Sequence, residues 1–97
     1  MMKNALPTKQ FKLLALTSLA AISDCGPDGM DESSLYITLQ EQGHSMVEFQ
    51  TLVGVLKEAG WIKKNRGHVL VATKEGMVLG HKIGHELNEI ARKAEMN

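Results

Sequence analysis

Cysteine, aromatic residues and long apolar runs are all scarce in this chain of 97 residues. The single cysteine, Cys25, excludes an intrachain disulfide and favours a reducing, cytoplasmic location. No run of apolar residues approaches the length that a helix needs to cross a bilayer. Aromatic residues make up 4% of the chain, so aliphatic residues and methionine must supply most of the core. Together these absences predict one small soluble domain.

Motifs for catalysis, cofactors and metals are also missing from the sequence. It contains no nucleophile elbow, phosphate-binding loop or dinucleotide-binding pattern, so we predict neither an enzyme nor a cofactor. His81 and His85 lie one helical turn apart, but zinc usually takes three or four protein ligands, which favours a solvated pair. The acidic loop DCGPDGMD lacks the spacing of calcium ligands. A metal-responsive regulator that uses the two histidines is therefore the weakest functional hypothesis.

Net charge is absent too, because 11 Lys and Arg residues balance 11 Asp and Glu residues. The composition alone therefore does not favour a nucleic-acid-binding protein. The charges are nevertheless segregated along the chain. Six acids and no Lys or Arg lie between Asp24 and Glu48, whereas five bases and one acid lie between Lys57 and Lys74. This pattern predicts a protein with an electrically polarised surface.

Apolar spacing and capping residues predict four helices and one hairpin. Ser45 and Glu48 form an S-x-x-E capping box at the start of helix 3. Gly60 and Trp61 fit a left-handed cap at its end, and NRG separates two β-prone runs. The predicted order is helix, helix, helix, hairpin, helix, over residues 8–23, 31–42, 46–59, 61–72 and 74–94.

The segment GHSMVEFQTLVGVLKEAGWIKKNRGHVLVATKEG resembles the recognition helix and wing of bacterial winged-helix regulators. The likeness lies in the apolar end of helix 3 before Gly60, the basic turn, and the T-x-x-G start of the last helix at Thr73 and Gly76. It covers about residues 8–76. The resemblance implies a winged helix-turn-helix domain, which is mainly α-helical with a small β-hairpin and belongs to the α+β class.

The resemblance also implies that helix 3 enters the major groove and that the hairpin contacts phosphates or the minor groove. Gln50 fits an adenine edge, Thr51 a base edge or a phosphate, and Val47 a thymine methyl group. Gly54 costs about 1 kcal/mol relative to alanine within a helix, which either a close DNA surface or a packed neighbouring side chain would explain. The residues predicted to bind double-stranded DNA are Ser45, Val47, Gln50, Thr51, Gly54 and Lys57 on helix 3, and Lys63, Lys64, Asn65, Arg66 and His68 on the hairpin.

The glycine spacing of the last helix predicts a further interface, because Gly76, Gly80 and Gly84 recur every four residues. This spacing leaves a groove for a second helix. The groove fits helix 1 of the same chain or a helix of a second subunit, and the second apolar face of helix 1 favours a homodimer. The predicted dimer residues are Leu13, Leu16, Ala20, Gly80, Ile83, Gly84, Leu87, Ile90 and Ala91.

Two main functional hypotheses follow from the sequence. The first is a small transcriptional regulator that binds DNA through helix 3 and the basic hairpin. The alternative is a winged-helix module for protein–protein interaction without DNA binding. The outer face of helix 3 carries Glu58 and few cations, with Glu41 and Glu48 near the preceding turn. Such a weakly basic helix fits a dimeric regulator that relies on its wings, and it fits a protein-contact module equally well.

Overall fold

The computed structural model describes residues 8–96, which form four α-helices and a three-stranded antiparallel sheet. The elements are α1 (Thr8–Asp24), β1 (Met30–Asp31), α2 (Glu32–Glu41), α3 (Met46–Glu58), β2 (Ile62–Asn65), β3 (Val69–Ala72) and α4 (Lys74–Met96). Short 3₁₀ turns cover Gly26–Asp28 and Arg66–His68. The predicted class, mainly helical α+β, is confirmed.

The sheet contains one strand that the sequence did not predict. β3 lies in the centre, with β2 on one side and β1 on the other. In the antiparallel register, Met30 of β1 lies opposite Leu70 of β3, and Ile62 of β2 lies opposite Ala72 of β3. The Pro, Gly and Asp residues of DCGPDGMD predict a loop where β1 lies, and a strand of two residues is too short to show an alternating pattern. Gly29 permits the pairing, since its φ is 75° and a Cβ there would lie 2.6 Å from the Leu70 carbonyl oxygen.

The core lies where α1, α2 and α3 pack on one another and on the sheet. Leu19 and Ile22 of α1 are fully buried, as are Leu52 and Leu56 of α3 and Leu70 of β3. These aliphatic side chains touch one another in a single cluster, as the scarcity of aromatic residues predicted. α3 therefore packs one face against the core and exposes its other face to solvent.

Both ends of α3 are fixed by local hydrogen bonds that the sequence predicted. The Glu48 backbone N–H donates to Ser45 Oγ at 3.2 Å, and the Ser45 N–H donates to Glu48 Oε1 at 2.8 Å. At the other end Gly60 has a φ of 80°, and the Trp61 N–H donates to the Leu56 carbonyl at 3.1 Å. The capping box and the glycine cap are therefore confirmed, and they set the length and direction of α3.

Close packing around α4 explains two of the three regularly spaced glycines, Gly80 through its contact with α1 and Gly76 through its contact with Trp61. Ser23 Oγ donates a buried hydrogen bond to the Gly76 carbonyl at 3.2 Å. A Cβ at Gly80 would lie 2.7 Å from Ser23 Cβ, and one at Gly76 would lie 2.7 Å from the Trp61 carbonyl carbon. Ala20 is buried as well. The sequence predicts Gly80 and Ala20 at a dimer interface, but both lie inside a contact within one chain.

Candidate nucleic-acid interface

The outer face of α3 presents most of the helix residues that the sequence predicted to bind DNA. Val47 is 69% exposed, and Gln50, Thr51 and Lys57 are exposed beside it. The Thr51 hydroxyl donates to the Val47 carbonyl at 2.8 Å, so only its lone pairs face outward for a ligand. Ser45 Oγ already accepts the capping hydrogen bond, which makes its first role structural.

Gly54 leaves a bare patch in the middle of this face. No atom of residues 8–96 lies within 4 Å of where its Cβ would be, leaving aside its own helix backbone and chain neighbours. Packing against a neighbouring side chain of the described chain therefore does not explain the glycine, which was one of our two explanations. A partner surface that approaches the helix at this point remains the other explanation.

The face around Gly54 is more apolar than basic. Met46 and Val55 are exposed together with Val47. Lys57 stands at the end of the helix next to the exposed Glu58. The face can therefore make apolar and hydrogen-bonding contacts to base edges, but it contributes little charge toward a phosphate backbone.

The connection between β2 and β3, residues 63–68, forms an exposed basic turn. Gly67 and His68 both have positive φ values, 71° and 65°, which reverse the chain within a few residues. All six residues of the basic turn are exposed. The turn therefore presents every side chain that the sequence predicted for the hairpin: Lys63, Lys64, Asn65, Arg66 and His68.

A carboxylate of α2 lies beside some of the basic turn's side chains and leaves others unpaired within residues 8–96. Glu32 Oε2 lies 3.3 Å from Lys64 Nζ, and Glu32 Oε1 lies 3.5 Å from His68 Nδ1. Within residues 8–96, no carboxylate lies within 4 Å of the Lys63 or Arg66 cations. Lys63 and Arg66 are thus the cations that the basic turn offers without a local counter-charge.

A groove of about 500 Å³ separates the basic turn from α2 and α3. Its lining includes Glu32 of α2, Gln50 of α3 and His68 of the basic turn. Tyr36 and Phe49 also line it, with ring centroids 5.3 Å apart. The groove therefore combines an apolar wall with a carboxylate, and it connects the two surfaces that were predicted to bind DNA.

Comparisons with known proteins supply no relative from which to infer a ligand. No family model, curated protein or solved structure matches the chain. What the protein binds must therefore be inferred from its own side chains and their arrangement.

The surface predicted for dimerisation is only partly available. Leu13, Leu87, Ile90 and Ala91 are exposed, with Ile90 at 64%. Leu16, Ile83 and Gly84 are half-buried. The exposed members on α4 lie beyond Gly80, so the second half of the helix offers an apolar stripe that its first half does not.

The two histidines of α4 lie on the surface. His85 Nε2 is 3.9 Å from Glu89 Oε2, and His81 is exposed one turn earlier. In the described part of the chain, no three His, Cys, Asp or Glu side chains are placed to hold a metal ion. The helices of this part also include none with the length and apolar character for crossing a bilayer.

Glu32 was not among the residues predicted for the site. The segregation of acids and bases along the chain predicted an electrically polarised surface, but it did not indicate that an acid of α2 lies beside the basic turn. Glu32 begins α2 directly after β1, and β1 pairs with β3. The unpredicted strand β1 is therefore what carries Glu32 to the basic turn.

Proposed function

We propose that this chain is a small winged-helix protein that binds double-stranded DNA and regulates transcription in the cytoplasm. The supporting observation is the order α1-β1-α2-α3-β2-β3-α4 with β3 between β1 and β2. This order is compatible with a helix-turn-helix followed by a wing. It leaves the outer face of α3 and the basic turn exposed on either side of one groove.

In this proposal α3 enters the major groove and the basic turn contacts the backbone. Gln50 donates to and accepts from an adenine edge, while Val47 contacts a thymine methyl group. Gly54 permits the close approach of a base edge or sugar. Lys63 and Arg66 neutralise phosphates, and they supply the part of the affinity that depends on salt.

Binding of a random-sequence duplex at two salt concentrations tests the proposal. Two neutralised phosphates give a slope of log affinity against log salt of about −1.8 per protomer, and a third gives about −2.7. Fluorescence anisotropy at about 50 mM and about 200 mM salt measures this slope. A wild-type protein that does not bind duplex DNA at the lower salt concentration contradicts the proposal.

A charge-reversed pair separates the basic turn from a general charge effect. We expect Lys63→Glu/Arg66→Glu to abolish measurable binding to random duplex, because it removes both cations that have no local counter-charge. The matched control is Lys82→Glu/Lys93→Glu, which makes the same change of net charge at exposed positions on α4. Equal losses in the two variants would show that net charge, not the basic turn, determines binding.

A protein-binding module is the second candidate, and two observations favour it. Glu32 neutralises part of the basic turn, and exposed Met46, Val47 and Val55 make α3 apolar. Exposed apolar side chains of this kind are common at protein interfaces. The duplex titration separates the two functions, since the protein module predicts no binding to DNA even at low salt.

We also propose that the protein acts as a homodimer joined through α1 and α4. The side chains Leu13 of α1 and Leu87 and Ile90 of α4 support this proposal, because they are large, apolar and exposed. A symmetric dimer would place two copies of α3 on one duplex. Sedimentation velocity over a range of protein concentrations tests it, and a monomer at every concentration contradicts it.

A further inference from the structure

We infer that Glu32 weakens sequence-independent binding to DNA by holding Lys64. The inference rests on the proposed DNA binding and adds a residue that does not itself contact DNA. Its basis is the position of one carboxylate between the two surfaces proposed to bind the duplex.

Both carboxylate oxygens of Glu32 face side chains of the basic turn. Oε2 faces Lys64 Nζ at 3.3 Å and Oε1 faces His68 Nδ1 at 3.5 Å. The side chains of Glu32 and Lys64 are 22% and 34% exposed, so both are partly withdrawn from solvent. Glu32 is also the first residue of α2, where the helix dipole favours a negative charge.

Lys63 and Lys64 are adjacent in β2 but differ in their surroundings. Successive side chains of a strand point to opposite faces, so only one of the two lysines can point toward α2. Lys64 does so and pairs with Glu32, whereas Lys63 has no carboxylate within 4 Å among residues 8–96. Of the two adjacent lysines, Lys64 is therefore paired with a carboxylate, whereas Lys63 is unpaired among residues 8–96.

This pairing changes what Lys64 can contribute to DNA binding. A free lysine that meets a phosphate releases a condensed counterion from the DNA, and this release drives binding without regard to sequence. Lys64 must instead exchange one anion for another, while the carboxylate of Glu32 stays beside the groove and repels the phosphate. The sequence-independent part of the affinity is then lower, and the contacts of α3 to base edges account for a larger share of the total. Because the lost term is the same for every duplex, the difference in affinity between sequences is unchanged.

The test compares wild type with Glu32→Gln on a random duplex. Freeing one cation changes the slope of log affinity against log salt from about −1.8 to about −2.7. If the two proteins bind equally at about 1 M salt, the variant binds about 15-fold more tightly at about 50 mM and about fourfold more tightly at about 200 mM. Gln keeps the size of the side chain, and circular dichroism with thermal unfolding checks that the fold is retained.

A double-mutant cycle with Lys64→Gln assigns the gain to this pair. We expect Lys64→Gln to weaken binding modestly in the wild-type background, because it leaves the Glu32 carboxylate without its lysine partner, and to remove the entire gain in the Glu32→Gln background. The matched control is Glu86→Gln, which makes the same change of net charge on exposed α4 and should leave the slope unchanged.

The outcomes distinguish this inference from the function on which it rests. Equal slopes for wild type and Glu32→Gln, with both proteins binding the duplex, overturn the role of Glu32 and leave the proposed function standing. A gain that persists in Glu32→Gln/Lys64→Gln also overturns it. Absence of binding by both proteins at about 50 mM salt overturns the proposed function itself, and the inference with it.

Discussion

The stretch of α4 around Gly76 and Gly80 and the stretch around Gly84 carry glycine at the same spacing but in opposite surroundings. Gly76 lies against the Trp61 carbonyl and Gly80 lies against Ser23, so neither position has space for a Cβ. At the next position, no atom of residues 8–96 lies within 4 Å of where a Cβ of Gly84 would be, apart from its chain neighbours and helix backbone. One sequence pattern therefore has two physical origins within a single helix, and substitution can tell them apart.

The largest effect is expected for Gly76→Ala. The new methyl group would overlap the backbone carbonyl of Trp61, which cannot turn aside as a side-chain tip can. The substitution should lower the free energy of unfolding by about 3 kcal/mol or more. Urea denaturation measures the change, and a loss below about 1 kcal/mol would mean that the first half of α4 is less tightly packed than described.

Gly80→Ala should destabilise the fold by less, about 2 kcal/mol. Its methyl group would meet the Ser23 side chain, with Ser23 Cβ at 2.7 Å. The matched partner is Ser23→Gly, which removes the obstructing atoms. In a double-mutant cycle the combined variant should be more stable than the sum of the two single changes predicts. Strict additivity would show that the two residues do not meet.

Gly84→Ala should have the opposite sign. With no clash inside the described chain, replacing a mid-helix glycine by alanine should raise the stability by about 1 kcal/mol. The melting temperature should then rise by about 4–8 °C. If a second copy packs closely at Gly84, the variant will instead weaken the dimer, and sedimentation velocity will show a shift toward monomer.

The smallest effect on folding is expected for Ile90→Gln. Ile90 is 64% exposed, so the free energy of unfolding of the monomer should change by less than about 0.5 kcal/mol. The proposed dimer should nevertheless dissociate at higher protein concentrations than wild type. Val78→Gln is the control, since Val78 is 68% exposed on another face of α4. Equal behaviour of the two variants in sedimentation would contradict an interface at Ile90.

Local features of the fold could be predicted because their causes lie within a few residues. Ser45 and Glu48 bond to each other across one helical turn, and Gly60 ends α3 through hydrogen bonds to the preceding turn. Such motifs depend on residue types at fixed offsets, which a sequence displays directly. The outer face of α3 could be predicted in the same way, because the apolar positions Leu52 and Leu56 show which side of the helix faces the core.

Features that depend on distant residues could not be predicted in this way. β1 has two residues, and its partner Leu70 lies far along the chain from Met30. The pairing of Glu32 with Lys64 depends on that strand. The different roles of Gly80 and Gly84 depend on the path of α1, since the helical repeat of α4 treats both positions alike. For the candidate site, the sequence thus predicted the exposed cations but not the carboxylate that holds one of them.

The buried hydrogen bond between α1 and α4 also has a consequence for the order of folding during synthesis. It joins Ser23 to Gly76, which are 53 positions apart. At roughly 5–20 residues per second, a ribosome needs about 3–10 s to add that stretch. During this interval α1 has emerged without its final neighbour, and the Leu19 side of the helix has no cover from α4. α4 is therefore the element that completes the core. A pause in translation before Gly76 would lengthen the time during which the uncovered side of α1 can aggregate.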